Sequence, residues 1–133
     1  MKYALDSDTI SYLLKKDSQA QNHLKRAVDN GDEYVIPPMV YYEVKRWLLL
    51  KNASVKLSAF LKLTRFTKEI VMGEVCWEKA IDIYTSLIKK GVPIDDGDIF
   101  IAAYCLVNDY TLVTNNTDHF DRIDGLKVVN WKN

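Results

Sequence analysis

The sequence predicts an α/β domain, with helices packed on a central parallel β-sheet. Three observations predict it. Short apolar runs alternate with longer segments of helical periodicity, the pattern of strand–helix–strand crossovers. One helical segment near the end is apolar almost all round, as a helix central to a packed domain must be. The chain has 133 residues, 48% of them hydrophobic, enough for one core and too few for two.

In chain order, residues 3–5 read as a strand beginning almost at the N-terminus. Ser7 or Asp8 can cap a helix over residues 9–14, since both side chains accept bonds from the free N–H groups of a first turn. Of the two, Asp8 is assigned the capping role. Ser18 caps a second helix, which runs to about residue 28 and is stopped by Asn30-Gly31. Residues 34–36 form a buried strand. Pro37-Pro38 ends it and starts a helix, where proline's missing N–H costs nothing. That helix presents Val40, Val44, Trp47 and Leu48 on one face. Another helix spans residues 54–63, followed by an extended piece at 70–72. From residue 74 to 89, Cys76, Ala80, Ile83, Tyr84, Leu87 and Ile88 recur at helical spacing, and Gly91 closes the helix. The apolar helix covers residues 98–109. Residues 111–114 and 127–130 are strands, bridged by one helical turn at 117–121.

Eighteen basic and eighteen acidic residues give zero formal charge, but the distribution is uneven. Residues 44–68 contain Lys45, Arg46, Lys51, Lys56, Lys62, Arg65 and Lys68 and no acid, a stretch suited to a phosphate backbone or a carboxylate-rich partner. Cys76 and Cys105 lack CxxC spacing and read as buried, reduced thiols of a cytoplasmic protein. No run approaches the roughly 18 apolar residues a membrane-spanning helix needs, and an acid interrupts the N-terminus before a signal peptide could develop.

Four segments deliver acids or amides to one rim of the sheet, beyond the carboxyl ends of the strands where ligands of such folds collect. Asp6 directly follows the first strand. Glu43 lies on the apolar stripe of its helix, about 8 Å along the axis from the strand edge, and a charge there must be paired, metal-bound or protonated. Arg46, one turn on, is the competing ion-pair partner. Asp98 opens the apolar helix, whose dipole favours its ionised form, and Asp95 and Asp96 crowd the same start. After the next strand, Thr114 and Asn116 can orient water or phosphate, and Asp118 offers a further carboxylate. His23 and His119 read as incidental, since neither has a second histidine at zinc spacing. Acidic oxygen donors select Mg²⁺ or Mn²⁺, and such an ion beside a basic flank points to phosphodiester hydrolysis.

The segments Leu5-Asp6-Ser7-Asp8-Thr9-Ile10, the Glu43 helix after Pro37-Pro38, Asp98-Ile99-Phe100-Ile101-Ala102-Ala103 and Leu112-Val113-Thr114-Asn115-Asn116, with Phe120 and the terminal Val128-Val129-Asn130-Trp131, resemble the PIN-domain nucleases. In particular they resemble the VapC-type toxins of toxin–antitoxin pairs. The resemblance implies a single three-layer PIN-like domain over residues 1–133, with endoribonuclease activity on tRNA or other structured RNA. It implies Mg²⁺ or Mn²⁺ held by Asp6, Glu43 and Asp98, with Asn116 in the catalytic set and Thr114, Asp118 and Asp96 as auxiliaries. A homodimer and a small antitoxin filling the active-site groove follow from the same likeness. The basic residues Lys45, Arg46, Lys51 and Lys56 are the expected contacts to RNA or antitoxin. Two departures stand out: Ser7 where threonine is common, and Asn116 and His119, with Asp118 between them, where relatives carry a fourth acid.

Two alternatives follow from the same residues. Asp6-x-Asp8 after a first strand resembles the nucleophile–acid pair of haloacid-dehalogenase-like phosphatases, though the chain is short for that fold and Glu43 would have no role. A non-catalytic PIN module that binds RNA or protein is the other.

Overall fold

The computed structural model describes residues 1–65, 67 and 71–133. Within them, β1 (Lys2–Leu5), β2 (Glu33–Val35), β3 (Thr111–Val113) and β4 (Val128–Val129) form one sheet in the order β2-β1-β3-β4. Every pairing is parallel, so every connection crosses over the sheet. The register sets Ala4 between Val35 and Leu112, and Leu5 beside Val113. Ala4, Leu112 and Val113 are fully buried, as strands covered on both faces require.

The crossovers are α1 (Ser7–Leu14) and α2 (Ser18–Asp29) between β1 and β2; α3 (Pro38–Leu50), α4 (Ser54–Thr64), α5 (Glu74–Lys90) and α6 (Asp96–Asn108) between β2 and β3; and α7 (Thr117–Phe120) before β4. Helix α6 is the central one: Ile99, Ile101, Ala102, Ala103, Tyr104 and Cys105 are all buried. It packs along α5, whose inward face is Cys76, Ala80, Ile83 and Leu87. Both cysteines are free and buried. No helix among the described residues is long and apolar enough to cross a membrane.

The expected elements are present, with instructive shifts. Helix α1 starts at Ser7 because Asp6, extended at φ −76° and ψ 164°, is its N-cap. The backbone N–H of Asp6 is still bound to the Val113 carbonyl at 2.9 Å, so the helix cannot start earlier. The cap is therefore neither Ser7 nor Asp8. Helix α2 is likewise capped one residue before Ser18, by Asp17, whose carboxylate accepts from the Ala20 N–H. Helix α6 begins two residues before Asp98, behind Asp95 as N-cap. Trp47 does not join the buried stripe of α3. Val40, Val44 and Leu48 do, while Trp47 is 56% exposed. Tyr84 and Ile88 of α5 also face outward. Val71 and Met72 form no strand, and residue 70 lies outside the described residues.

Candidate active site

In the strand order β2-β1-β3-β4, the connection leaving β1 runs outward to β2 and the one leaving β3 runs the opposite way to β4, so a crevice opens between the carboxyl ends of β1 and β3. Asp6 and Thr114 are the first residues beyond those ends. Both are buried: Asp6 is 5% exposed and Thr114 fully enclosed. The Thr114 hydroxyl donates to Asp6 Oδ2 at 2.8 Å, and Asp6 Oδ1 accepts from the Ser7 N–H at 2.8 Å. Thr114 Oγ1 in turn accepts from the Asn116 N–H at 3.0 Å, which fixes the turn carrying Asn116. Asp8, far from being a simple cap, reaches across the crevice: its Oδ2 accepts from the Asn115 N–H at 3.0 Å. Thr9 closes the floor by donating to the Val113 carbonyl at 2.9 Å.

This seat is electrostatically unfavourable for anions. Burial, then the neighbouring Asp8 charge, push Asp6 up to about 7 against the help of the Thr114 and Ser7 bonds, and Asp98 adds to the rise. Asp8 is also raised, chiefly by burial.

Glu43 comes from the second turn of α3, which the two prolines aim off the end of β2. Its Oε1 is buried and has no hydrogen-bond partner among the described residues. Burial and then the Asp98 charge raise its carboxyl, and Arg46 only partly offsets them. The competing Glu43–Arg46 ion pair does not form among the described residues; the Arg46 guanidinium lies 4.7 Å from the Tyr42 ring centroid instead. Gly97, in the first turn of α6, lets the helix approach: a Cβ there would stand 3.4 Å from Glu43 Oε2. Asp98 follows at once, and its charge acts on both Asp6 and Glu43.

His119 belongs to this group, contrary to its reading as incidental. Its Nδ1 lies 3.3 Å from Asp98 Oδ2 and 2.9 Å from Asn116 Nδ2. Fully buried Phe120 anchors the one-turn helix that carries it. The available signal was the spacing of Asn116 and His119, three residues apart at a helix start. Asp96 and Asp118 are exposed and take no part in these bonds.

Asp6, Glu43 and Asp98 are oxygen donors of the kind that hold Mg²⁺ or Mn²⁺. As the side chains stand, no three His, Cys, Asp or Glu among the described residues are grouped closely enough to hold a metal ion. The oxygens of Asp6 are taken up by Ser7 and Thr114. The orphaned oxygen of Glu43 and the shared charge of Asp98 nevertheless fit a cation, which would relieve both.

An open groove of about 850 Å³ runs from Glu43 between α1, α3 and α4, lined by Ser7, Leu14, Arg46, Trp47, Leu50 and Lys56 among others. Of the expected basic contacts, Arg46 and Lys56 line it. Lys45 and Lys51 lie over the rings of Tyr41 and Trp47, at 5.3 and 4.6 Å. The basic stretch is thus interleaved with exposed aromatics.

The model of the PIN domain matches residues 3–126. The chain belongs to the PIN domain family. Among curated PIN relatives, it is 27% identical to Ribonuclease VapC2 of Rickettsia felis over 98% of both chains. It is 26% identical to Ribonuclease VapC1 of Haemophilus influenzae strain R2866, again over 98% of both. Among solved structures it resembles R. felis VapBC2 bound to a DNA fragment from its promoter (TM-score 0.87, 27% identity, 98% of this chain and 99% of that one). It also resembles VapBC-1 of nontypeable H. influenzae (TM-score 0.86, 26% identity, all of both chains). The PIN fold sets aside the phosphatase alternative, and Asp8, the acid that reading needs, is engaged by the Asn115 N–H.

Proposed function

We propose that this protein is a Mg²⁺- or Mn²⁺-dependent endoribonuclease of the cytoplasm, the toxin of a toxin–antitoxin pair, cleaving tRNA or other structured RNA. The observation that carries the reading is the charge of Asp98 bearing on both Asp6 and Glu43, one of which leaves a buried oxygen unpaired. Asp6, Glu43 and Asp98 would hold the ion, and once bound it would polarise the phosphodiester and acidify the attacking water. Thr114 keeps Asp6 oriented, and Asn116, tied to Thr114 through its backbone, places water or phosphate beside Asp98. Arg46 and Lys56 draw the phosphate backbone along the groove, while the exposed faces of Tyr42 and Trp47 offer stacking surfaces to unpaired bases. The same groove receives the antitoxin, in keeping with the VapBC assemblies of the relatives. Asp98→Asn is expected to lower RNA cleavage more than about a hundredfold, some 2.7 kcal/mol of transition-state stabilisation, with an unchanged circular dichroism spectrum. Undiminished cleavage by that variant, free of contaminating nuclease, rejects the reading.

The homodimer expected of this family has a suitable face on α5. Trp77, Ile81, Tyr84 and Ile88 are each about half exposed and spaced along one helical stripe. A two-fold axis between residues 82 and 83 would set Trp77 against Ile88 and Ile81 against Tyr84. The same axis brings Glu74 and Glu78, at the N-terminal end, near Lys89 and Lys90 at the other, as a self-complementary interface requires. Light scattering should give twice the 15.4 kDa chain mass, and Ile81→Glu should halve it. A monomeric parent protein would remove this face from consideration.

A further inference from the structure

Two asparagines form the turn beyond β3. The side chain of Asn116 is engaged with His119 Nδ1 at 2.9 Å, whereas Asn115 is exposed at the rim of the crevice. Asp8 Oδ2 holds the Asn115 backbone N–H at 3.0 Å, and its side chain is held from another direction. Asn130, directly after β4, donates through Nδ2 to Asn115 Oδ1 at 3.0 Å, while Asn130 Oδ1 accepts from the Lys132 N–H at 2.9 Å. A backbone N–H can only donate, so the Asn130 amide has one orientation, with its nitrogen toward Asn115. The Asn115 amide is oriented in turn. Its oxygen faces Asn130, and its two N–H groups are left on the side away from it. The relay starts from a rigid base. Trp131 is buried, meets the Tyr3 ring edge-on at 5.5 Å and stacks on His23 at 5.9 Å, and Lys132 Nζ is bonded to Asp17 at 2.6 Å.

We propose that Asn115 is a phosphate-binding residue of the RNA site, and that Asn130 is the positioning residue that turns its N–H groups toward the substrate. The inference rests on the nuclease reading above and deepens it. Acids crowd the crevice: the charges of Asp8 and Asp98 bear on Asp6, and that of Asp98 bears on Glu43. Such a crevice repels an incoming phosphodiester. Arg46 and Lys56 stand along the α3–α4 groove, whereas the turn beyond β3 brings an amide donor to the strand side. A neutral amide can bond a phosphate oxygen without competing, as a cation would, for the carboxylates. Turned the other way, the same amide would present its oxygen to an anion and repel it. Orientation therefore decides the sign of the contact, and the orientation is set from the last strand.

Asn130→Asp is the decisive variant, made in the full chain. Its carboxylate still accepts from the Lys132 N–H but offers no donor, so Asn115 must turn its N–H groups inward and its oxygen outward. The probe is unfractionated tRNA carrying a fluorophore, its binding read by anisotropy in the presence of chelator. Asn130→Asp and Asn115→Ala should each weaken binding about tenfold, the size of one hydrogen bond to a charged group. Asn130→Ala, which lets the Asn115 amide turn either way, should weaken it about twofold. The same factors should appear in KM for cleavage, with kcat unchanged. In the Asn115→Ala background, Asn130→Asp should weaken binding by less than about twofold more, because the residue it acts through is gone. A full tenfold loss in that background would mean that the added charge repels RNA directly, and would overturn the positioning role. Nuclear magnetic resonance of the ¹⁵N-labelled protein reads the relay without RNA: the Asn115 side-chain N–H groups should exchange freely with water in the parent and become hydrogen-bonded in Asn130→Asp. Unchanged tRNA binding by Asn115→Ala, beside a parent protein that cleaves RNA, would overturn this inference and leave the nuclease standing. A parent protein that neither binds nor cleaves RNA would overturn both.

Discussion

The two halves of the crevice are built on opposite terms. On the β1–β3 side, Asp6 is buried and both its oxygens are bonded, to Ser7 and Thr114, and Thr114 passes the constraint on to Asn116. On the α3–α6 side, Glu43 is only half-buried, yet one of its oxygens is enclosed without a partner among the described residues. The first half is a finished hydrogen-bond network whose remaining cost is charge. The second is unfinished, and Arg46 offsets its charge only in part. The difference teaches that the strand ends supply rigidity, while the helix starts supply the demand that a ligand would satisfy.

The largest expected effect concerns charge on the finished side. Asp6 ionises near 7 in the folded protein against an ordinary 3.8. Between those values the folded state holds a proton that the unfolded chain has lost. Stability of the metal-free protein is therefore greatest below this window and falls as pH rises through it, by roughly 2–4 kcal/mol from pH 4 to pH 8. Urea denaturation across pH in the presence of chelator measures this, and saturating Mn²⁺ should flatten the upper arm of the curve. A flat metal-free profile would mean that burial does not strain Asp6.

Next in size is Thr114→Val, which keeps the shape but leaves an Asp6 oxygen and the Asn116 N–H unpaired. A loss of about 1–3 kcal/mol in unfolding free energy is expected, read from a lower denaturation midpoint. A neutral result would show that the network does not carry the rigidity assigned to it. Smallest, and opposite in sign, is Glu43→Gln. Removing the enclosed charge should raise the metal-free melting temperature by about 2–5 °C while abolishing RNA cleavage. If that variant melts lower, the unfinished half has a partner after all.

Much of this was readable in the residues. Asp6 stands out because it directly follows a strand end, Asp98 because it lies at a helix start, and Glu43 because it is a charge on the apolar stripe of its helix; the strand–helix alternation places all three on one rim. The misread positions share a cause, which is that long-range contacts decide them. Asp6 rather than Asp8 caps α1 because Val113, more than a hundred residues away, holds the Asp6 N–H and because Asn115 takes the Asp8 carboxylate. Trp47 fits the helical period of α3 but falls on its open edge, along the groove. Tyr84 and Ile88 fit the period of α5 equally well, and periodicity does not say whether a stripe meets the core or solvent. His119 stands where relatives carry a fourth acid, but its lack of zinc spacing hid its contact, which comes from a one-turn helix that only the folded chain sets against Asp98.

The pairing of β1 with β3 also bears on the order in which the crevice is assembled on the ribosome. A nascent chain that has emerged only as far as α6 already contains all three acids, but Val113 and Thr114, which seat the first of them, are still to be made. Contacts of such wide sequence separation form late and slowly. Translation therefore delivers the carboxylates before the cleft, and the seat of Asp6 is completed only when β3 is released.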